Sequence, residues 1–331
     1  MSTVSDAMTV APSTVEPSDA FTSEQKEYLA GFLAALAQRN LTPYVGTTGE
    51  GKITADPGLG GENLAEKKEE MIFGTPLGEA TKQERWKHEE HPLDGWDRIL
   101  VHAEADKFPD EENTYRFRNF GLFYVAPAQN SFMLRCRIPA GELTAAQLKG
   151  LADIADQFGN GKAAITTRSN IQIREIASRN LVNVLTRLQS LGLTARGSGV
   201  DNVRNITASP TAGFDPQELI DTRAFAHALH HYILNHRDLY GLPRKFNVAF
   251  EGGGSVDTVA DTNDLGFMAV TVPAAGNTHH RQGTSLRDGS SVLVEPGVYF
   301  RLELAGITGH KQMATDAGIL VKPSEVVGVA V

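Results

Sequence analysis

The sequence predicts an α+β fold in two units, behind a disordered tail and a wrapping segment. Three observations predict it. From residue 116 to 195, period-two apolar alternation is interrupted twice by helical spacing. After Gly199, one helix candidate is surrounded by further strand candidates. Residues 1–20 are rich in Ser, Thr, Pro and Ala and lack the large apolar residues that a core needs.

Thr22 and Gln25 can form a capping box, and Tyr28, Leu29, Phe32, Leu33 and Leu36 then follow at helical spacing. Residues 41–115 are Gly-rich and charged, with KKEE at 67–70 and ERWKHEEH at 84–91. They read as wrapping loops with short helices, anchored by Trp86 and Trp96, so 21–115 forms one segment. Residues 119–126 and 131–138 are strand candidates. Thr144 caps a helix carrying Leu148, Leu151, Ile154, Ala155 and Phe158, and Gly159 ends it. Residues 163–174 read as one strand. A second helix carries Leu181, Val184, Leu185 and Leu188 and ends at Gly192. This order predicts a ferredoxin-like half-domain over 116–195.

The second unit spans 199–331. Asp215, Pro216 and Glu218 supply a cap, an N1 proline and a back-reaching carboxylate for a helix running to His236. Strand candidates follow at 242–250, 266–272, 291–298 and 299–306. Residues 322–331 read as the first turns of a helix that stops before it can bury a face. That pattern predicts a chain cut inside a domain.

Composition narrows the function. A chain of 331 residues with 41% hydrophobic content can build more than one core. Its net charge of −9 speaks against a nucleic-acid partner. No apolar run approaches the roughly 20 residues of a membrane span. The single cysteine, Cys136, excludes a disulfide framework and any all-thiolate metal site made by this chain alone. Residues 1–25 hold no Lys or Arg, which argues against a targeting leader and for a cytoplasmic protein.

The positive charge is local. On 131–138, Phe132, Leu134, Cys136 and Ile138 share one face, and Arg135 and Arg137 share the other with Met133. On 163–174, Arg168, Asn170, Gln172 and Arg174 oppose Ile165, Ile171 and Ile173. Lys245 and Asn247 flank an inward-facing Phe246, and Arg204 lies in a loop. Guanidinium forks suit carboxylates. Arg recurring beside Asn and Gln, without acidic partners, points to a pocket for a polycarboxylate, a small oxyanion or both. Any one strand alone could carry a solvated face instead. His227, His230 and His231 lie on the 217–236 helix candidate, but His230 and His231 cannot share a face, and no metal site is expected there. Cys136 reads as a small core residue.

FMLRCRIPAG, TTRSNIQIR, SGVDNVRN and LPRKFN, in this order, resemble the assimilatory nitrite and sulfite reductases that use sirohaem and an iron–sulfur cluster. The likeness covers about residues 115–310 and is nearest to ferredoxin-dependent nitrite reductases. It implies that 199–331 is a sirohaem-binding domain. It implies that Arg135, Arg204, Lys245 and Asn247 surround the substrate anion, with Lys245 supplying a proton. Arg137, Arg168, Gln172 and Asn202 would hold carboxylates of the macrocycle, with Arg174 bordering the pocket. Sulfite reductases of this family carry a second Lys where this chain has Asn247, so the resemblance implies nitrite, a monoanion. The implied reaction is six-electron reduction to ammonia, with electrons from ferredoxin or a similar donor through a [4Fe–4S] cluster. A sulfite reductase and a catalytically silent tetrapyrrole-binding module are the alternatives. The family's cluster needs four cysteines in Cys-x5-Cys and Cys-x3-Cys, which are absent here. The resemblance therefore implies an amino-terminal part whose cluster-binding half is missing.

Overall fold

The computed structural model describes residues 70–125, 130–274, 283–284, 291–292 and 294–331. The expected tail and the 22–40 helix lie outside these residues.

The wrapping segment opens with a small hairpin, β1 (Met71–Ile72) against β2 (Thr75–Pro76). Helices α1 (Lys82–Glu89), α2 (Trp96–Glu104) and α3 (Glu111–Phe117) follow. Thr81 and Asp110 cap α1 and α3 by accepting from the backbone N–H of Glu84 and Asn113. The Trp86 ring lies 5.7 Å from Tyr115, and the Trp96 ring 6.2 Å from Phe120. Lys87 ties this segment to the second unit: its Nζ reaches Asp201 Oδ2 at 3.3 Å and donates to Leu242 O at 2.8 Å.

Strands β3 (Leu122–Val125) and β4 (Ser131–Arg135), helix α4 (Ala145–Phe158), strands β5 (Ala163–Ile165) and β6 (Ile171–Ile176), and helix α5 (Leu181–Ser190) build the first unit. The sheet is antiparallel, in the order β3-β4-β6-β5. The Thr144–Gln147 capping box is complete. One core holds Leu151, Ile154, Val184 and Leu188 of the helices with Phe132, Leu134, Cys136 and Ile173 of the sheet.

Local chemistry changes two expected strands. Residues 118–120 form a 3₁₀ turn that ends at Gly121, whose φ is +76°, so β3 starts late. The 163–174 strand is a hairpin. Thr166 N–H donates to Asn170 O at 2.8 Å, and Ser169 takes φ +49°. Arg168 and Asn170 therefore sit in the turn and do not share a strand face with Gln172 and Arg174. Ile165 is 86% exposed instead of joining Ile171 and Ile173 inside.

The second unit contains β7 (Thr207–Ala208), α6 (Arg223–Asn235), β8 (Val248–Glu251), β9 (Leu265–Val272), β10 (Gly283–Thr284), β11 (Ser291–Val292), β12 (Gly297–Leu304), β13 (Thr315–Val321) and α7 (Val326–Ala330). Its main sheet runs β13-β12-β9-β8-β7 and is mixed: β7, β8 and β9 are parallel, and β12 and β13 extend it antiparallel. Phe250, Phe267 and Phe300 form its centre with Ala226, Leu229 and Ile233 of α6. The architecture is thus α+β, a ferredoxin-like half-domain followed by a mixed domain.

The expected helix start at Asp215 does not form. Asp215 Oδ2 accepts from the backbone N–H and the hydroxyl of Ser255, both at 2.6 Å, and Glu218 Oε2 accepts from Gly213 N–H at 2.6 Å. Both carboxylates are spent on loops, and α6 begins at Arg223. LPRKFN is not regular strand either. Phe246 makes one parallel bridge to Val203, and β8 begins at Val248. Strand β13 went unread in the sequence. The final helix does bury a face: Val326 is fully buried, and Val327 and Ala330 pack on the second core.

A Cβ at Gly121 would meet Arg135 O and Ala195 Cβ, each at 2.6 Å, in a backbone conformation that L side chains resist. Gly121→Ala is expected to cost about 2–3 kcal/mol in urea unfolding. His230 is 6% exposed, and burial, then Arg137, His231 and His227, drive its pKa from 6.5 down to about 3. The unfolded chain therefore binds a proton that the folded chain refuses. This contribution to stability is whole above pH 6.5 and drains as pH falls to about 3. His230→Gln should flatten that limb in urea midpoints measured at pH 7, 5 and 4.

Candidate functional site

Three separate pieces of chain bring cations to one cavity of about 220 Å³: the end of β4, the β5–β6 turn, and the loop after Gly199. Arg135, Arg168, Gln172, Arg204 and Asn205 line it, and among the described residues no Asp or Glu does.

Arg135 is the last residue of β4 and lies opposite Gln172 on β6. Its guanidinium sits 4.3 Å from the centroid of the Phe123 ring, a cation–π contact that holds the charge without neutralising it. Arg168 reaches from the hairpin turn into the second unit. Its Nη1 donates to Asn263 Oδ1 at 2.7 Å, and its Nη2 donates to Asn205 O at 2.7 Å and Val248 O at 3.2 Å. Arg204 turns back on its own loop. Its Nε and Nη2 donate to Val200 O at 3.1 and 2.9 Å. Val200 presents that carbonyl from a φ of +45°, a conformation that is rare and costly for a β-branched residue.

Nearly every acceptor here is a neutral carbonyl or amide. Carbonyl dipoles satisfy guanidinium N–H groups and leave the net charge in place. Burial lowers the pKa of Arg168 and of Arg204 to about 10, and burial with Arg118 nearby lowers that of Arg135. All three remain cations at neutral pH. Asp264 and Asp201 oppose these shifts at Arg168 and Arg204 and do not cancel them.

Asn205 holds the pieces together. Its Nδ2 donates to Ile138 O at 2.6 Å, Arg168 O at 2.9 Å and Ser169 O at 3.2 Å, and its Oδ1 accepts from Ile138 N–H at 2.8 Å. The amide thus fixes the chain after β4 against the hairpin turn. The sequence reading missed Asn205, and also Asn263, which receives Arg168. Asn205 lay within DNVRN, beside Arg204, and its signal was the run of amides in that motif.

Other expected residues lie elsewhere. Arg137 is 1% exposed and lines a different cavity, with its Nη1 donating to Val203 O at 2.6 Å and Gly197 O at 3.3 Å. Arg174 is exposed, with its Nη2 at 3.5 Å from Gln172 Oε1. The Asn202 amide is consumed: Nδ2 donates to Asn119 Oδ1 and Gly199 O, and Oδ1 accepts from Gly241 N–H. Lys245 and Asn247 do not line the Arg cavity. They flank Phe246, whose carbonyl accepts from Arg204 N–H at 2.8 Å, so their segment runs beside the Arg204 loop. Asn247 is 3% exposed, and its N–H donates to Asp264 Oδ2 at 2.7 Å.

The donor set fits a ligand with several carboxylates: three guanidiniums face one cavity, and Arg168 Nε has no partner among the described residues. It does not fit an iron–sulfur cluster. Cys136 is the chain's one cysteine, it is fully buried, and burial pushes its thiol up to about 12. Among the described residues no group of three or more His, Cys, Asp or Glu is placed to hold a metal ion, and no helix is long and apolar enough to cross a membrane.

Residues 126–191 match the nitrite/sulfite reductase ferredoxin-like half domain, and residues 199–330 match the nitrite and sulphite reductase 4Fe-4S domain. A ferredoxin–nitrite reductase of Leptolyngbya laminosa is 41% identical over 185 residues, which is 52% of this chain and 36% of that protein. The chloroplastic ferredoxin–nitrite reductase of Spinacia oleracea is 33% identical over 178 residues, 52% of this chain and 30% of that one. The chain thus spans about a third of the length of the curated relatives it matches. The solved NirA protein of Mycobacterium tuberculosis superposes with a TM-score of 0.60 at 25% identity, over 75% of this chain and 45% of that one. Two adjoining domain matches that together cover more than half of the sequence, and a shared fold, establish that the chain belongs to the nitrite and sulfite reductase family.

Proposed function

We propose that this chain forms the anion-handling part of a ferredoxin-dependent nitrite reductase, with carboxylates of sirohaem and the substrate anion at the Arg135–Arg168–Arg204 cavity. The observation that carries this reading is that cavity: three guanidiniums held by carbonyls, amides and a ring, with no carboxylate among the described residues of the wall. Relatives named ferredoxin–nitrite reductase support nitrite as substrate and ferredoxin as donor.

Arg168, with Gln172, takes carboxylates of the macrocycle. Arg135 and Arg204 face the substrate oxyanion, and their buried charge stabilises negative charge as it develops. Lys245 and Asn247 lie beside the Arg204 loop and not on the cavity wall, and their roles rest on the LPRKFN motif alone: Lys245 to hold and donate a proton, Asn247 to offer an amide beside it. Arg137, Arg174 and Asn202 take no part in this assignment, because their side chains lie away from the cavity or are already spent. Sirohaem supplies, when bound, the iron and conjugated ring for the electron chemistry. A [4Fe–4S] cluster would need thiolates that this chain does not contain, so no step is assigned through it here.

Titration of the purified chain with sirohaem, followed by absorption, tests the reading. Saturable binding is expected, and Arg168→Gln should weaken it at least about tenfold, the cost of one charge-assisted pair. No saturable spectral change would end the proposal. In the sirohaem-loaded chain, Asn247→Lys should raise sulfite affinity relative to nitrite about tenfold. An unchanged ratio would remove the reason for preferring nitrite.

A further inference from the structure

A second cavity, of about 390 Å³, opens on the other side of the strand end that carries Arg135 and Arg137. Arg137, Thr144, Gln147, His227, His230 and His231 are among its walls. Arg137 and His230 are more than nine-tenths buried. Arg137 spends Nη1 on Gly197 O and Val203 O, at 3.3 and 2.6 Å. Its Nε and Nη2 have no partner among the described residues, nor has His230 Nδ1. Nε and Nη2 form one edge of the guanidinium, and both atoms are closed to water. An uncompensated buried cation with two idle donors costs several kcal/mol, and an anion in the adjoining cavity offsets part of that cost.

The rest of the wall agrees. Glu142 is the one carboxylate there among the described residues, and it is already answered by His227 Nε2 at 3.0 Å and Arg223 Nη1 at 3.3 Å. Thr144 and Gln147 belong to the N-terminus of the 14-residue helix α4, whose dipole favours negative charge. The His230 and His231 rings, both on the wall, lie 5.2 Å apart, edge to face.

We propose that this second cavity binds a small carboxylate-bearing molecule, drawn by the uncompensated charge of Arg137 buried in its wall, beside His230. The site is separate from the Arg135–Arg168–Arg204 cavity and does not depend on the reductase reading.

The test uses the full chain with ¹³C-labelled histidine. The ring Hε1 resonances of His227, His230 and His231 are followed while sodium acetate is added against sodium chloride at equal ionic strength. Saturable movement of His230 and His231 is expected. Gln147→Glu preserves the capping box and adds a negative charge to the wall; it should weaken acetate at least about tenfold. Arg204→Gln should leave the titration unchanged. Arg137→Gln should abolish it, and if that variant does not fold, Gln147→Glu still decides. No saturable shift would overturn the proposal, as would a shift lost in Arg204→Gln and kept in Gln147→Glu. Tighter binding of phosphate than of acetate would overturn the carboxylate assignment.

Discussion

The structure around the candidate site is governed by one constraint: guanidinium groups must be held out of water without being neutralised. An ion removed from water costs several kcal/mol even after relaxation, and an adjacent carboxylate is the usual remedy. Here the remedy is mostly neutral. Arg168 and Arg204 lean on backbone carbonyls, and Arg135 leans on the Phe123 ring. Such partners offset desolvation and leave the field of the cavity positive, inside a chain whose net charge is −9. An anionic ligand completes the balance, so binding and local stability should be coupled.

Carbonyls can serve this way only if the backbone that carries them is rigid. Asn205 provides much of that rigidity by bonding the chain at Ile138 and the turn at Arg168 and Ser169 with one amide. Ala140 N–H adds a bond to Ile206 O at 3.0 Å. Val200 and Ser169, both at positive φ, lie on the loops that aim Arg204 and Arg168. Backbone held in costly conformations beside a charged cavity is what a preorganised anion site requires, because the donors then need no rearrangement when charge arrives.

Much of the first unit was legible because its signals are local. The Thr144–Gln147 box and the spacing of Leu181, Val184, Leu185 and Leu188 need no knowledge of distant residues. The hairpin at 163–176 was not legible, since AAITTRSNIQIR keeps its alternation through the turn and holds no Gly or Pro. Its reversal depends on Ser169 at positive φ and on the Asn205 amide some 36 residues away. The Asp215 signal misled for a similar reason. Its carboxylate finds better donors in Ser255, 40 residues on. At the site, residue types were readable and neighbours were not. Period two put Arg137 beside Arg135, but only the fold shows that the carbonyls of Gly197 and Val203 hold it next to another cavity.

The Asn263–Asp264 pair joins the two sides of the proposed chemistry. Asn263 Oδ1 receives Arg168, and Asp264 Oδ2 receives the backbone N–H of Asn247. Asp264 also raises the pKa of Arg168 electrostatically. A residue proposed to anchor the macrocycle and a residue proposed to border the substrate are therefore held by adjacent positions of one loop. That arrangement bears on substrate choice. The negative charge beside the Asn247 backbone is already shared with Arg168, so it is not wholly available to a second ammonium. An amide at 247 needs no counter-charge and fits a monoanionic substrate. A lysine there would draw Asp264 away from Arg168, and greater attraction for a dianion would come with a looser cofactor anchor. In the proposed reductase, the identity of residue 247 would then be a compromise between two ligands as well as a filter between two substrates.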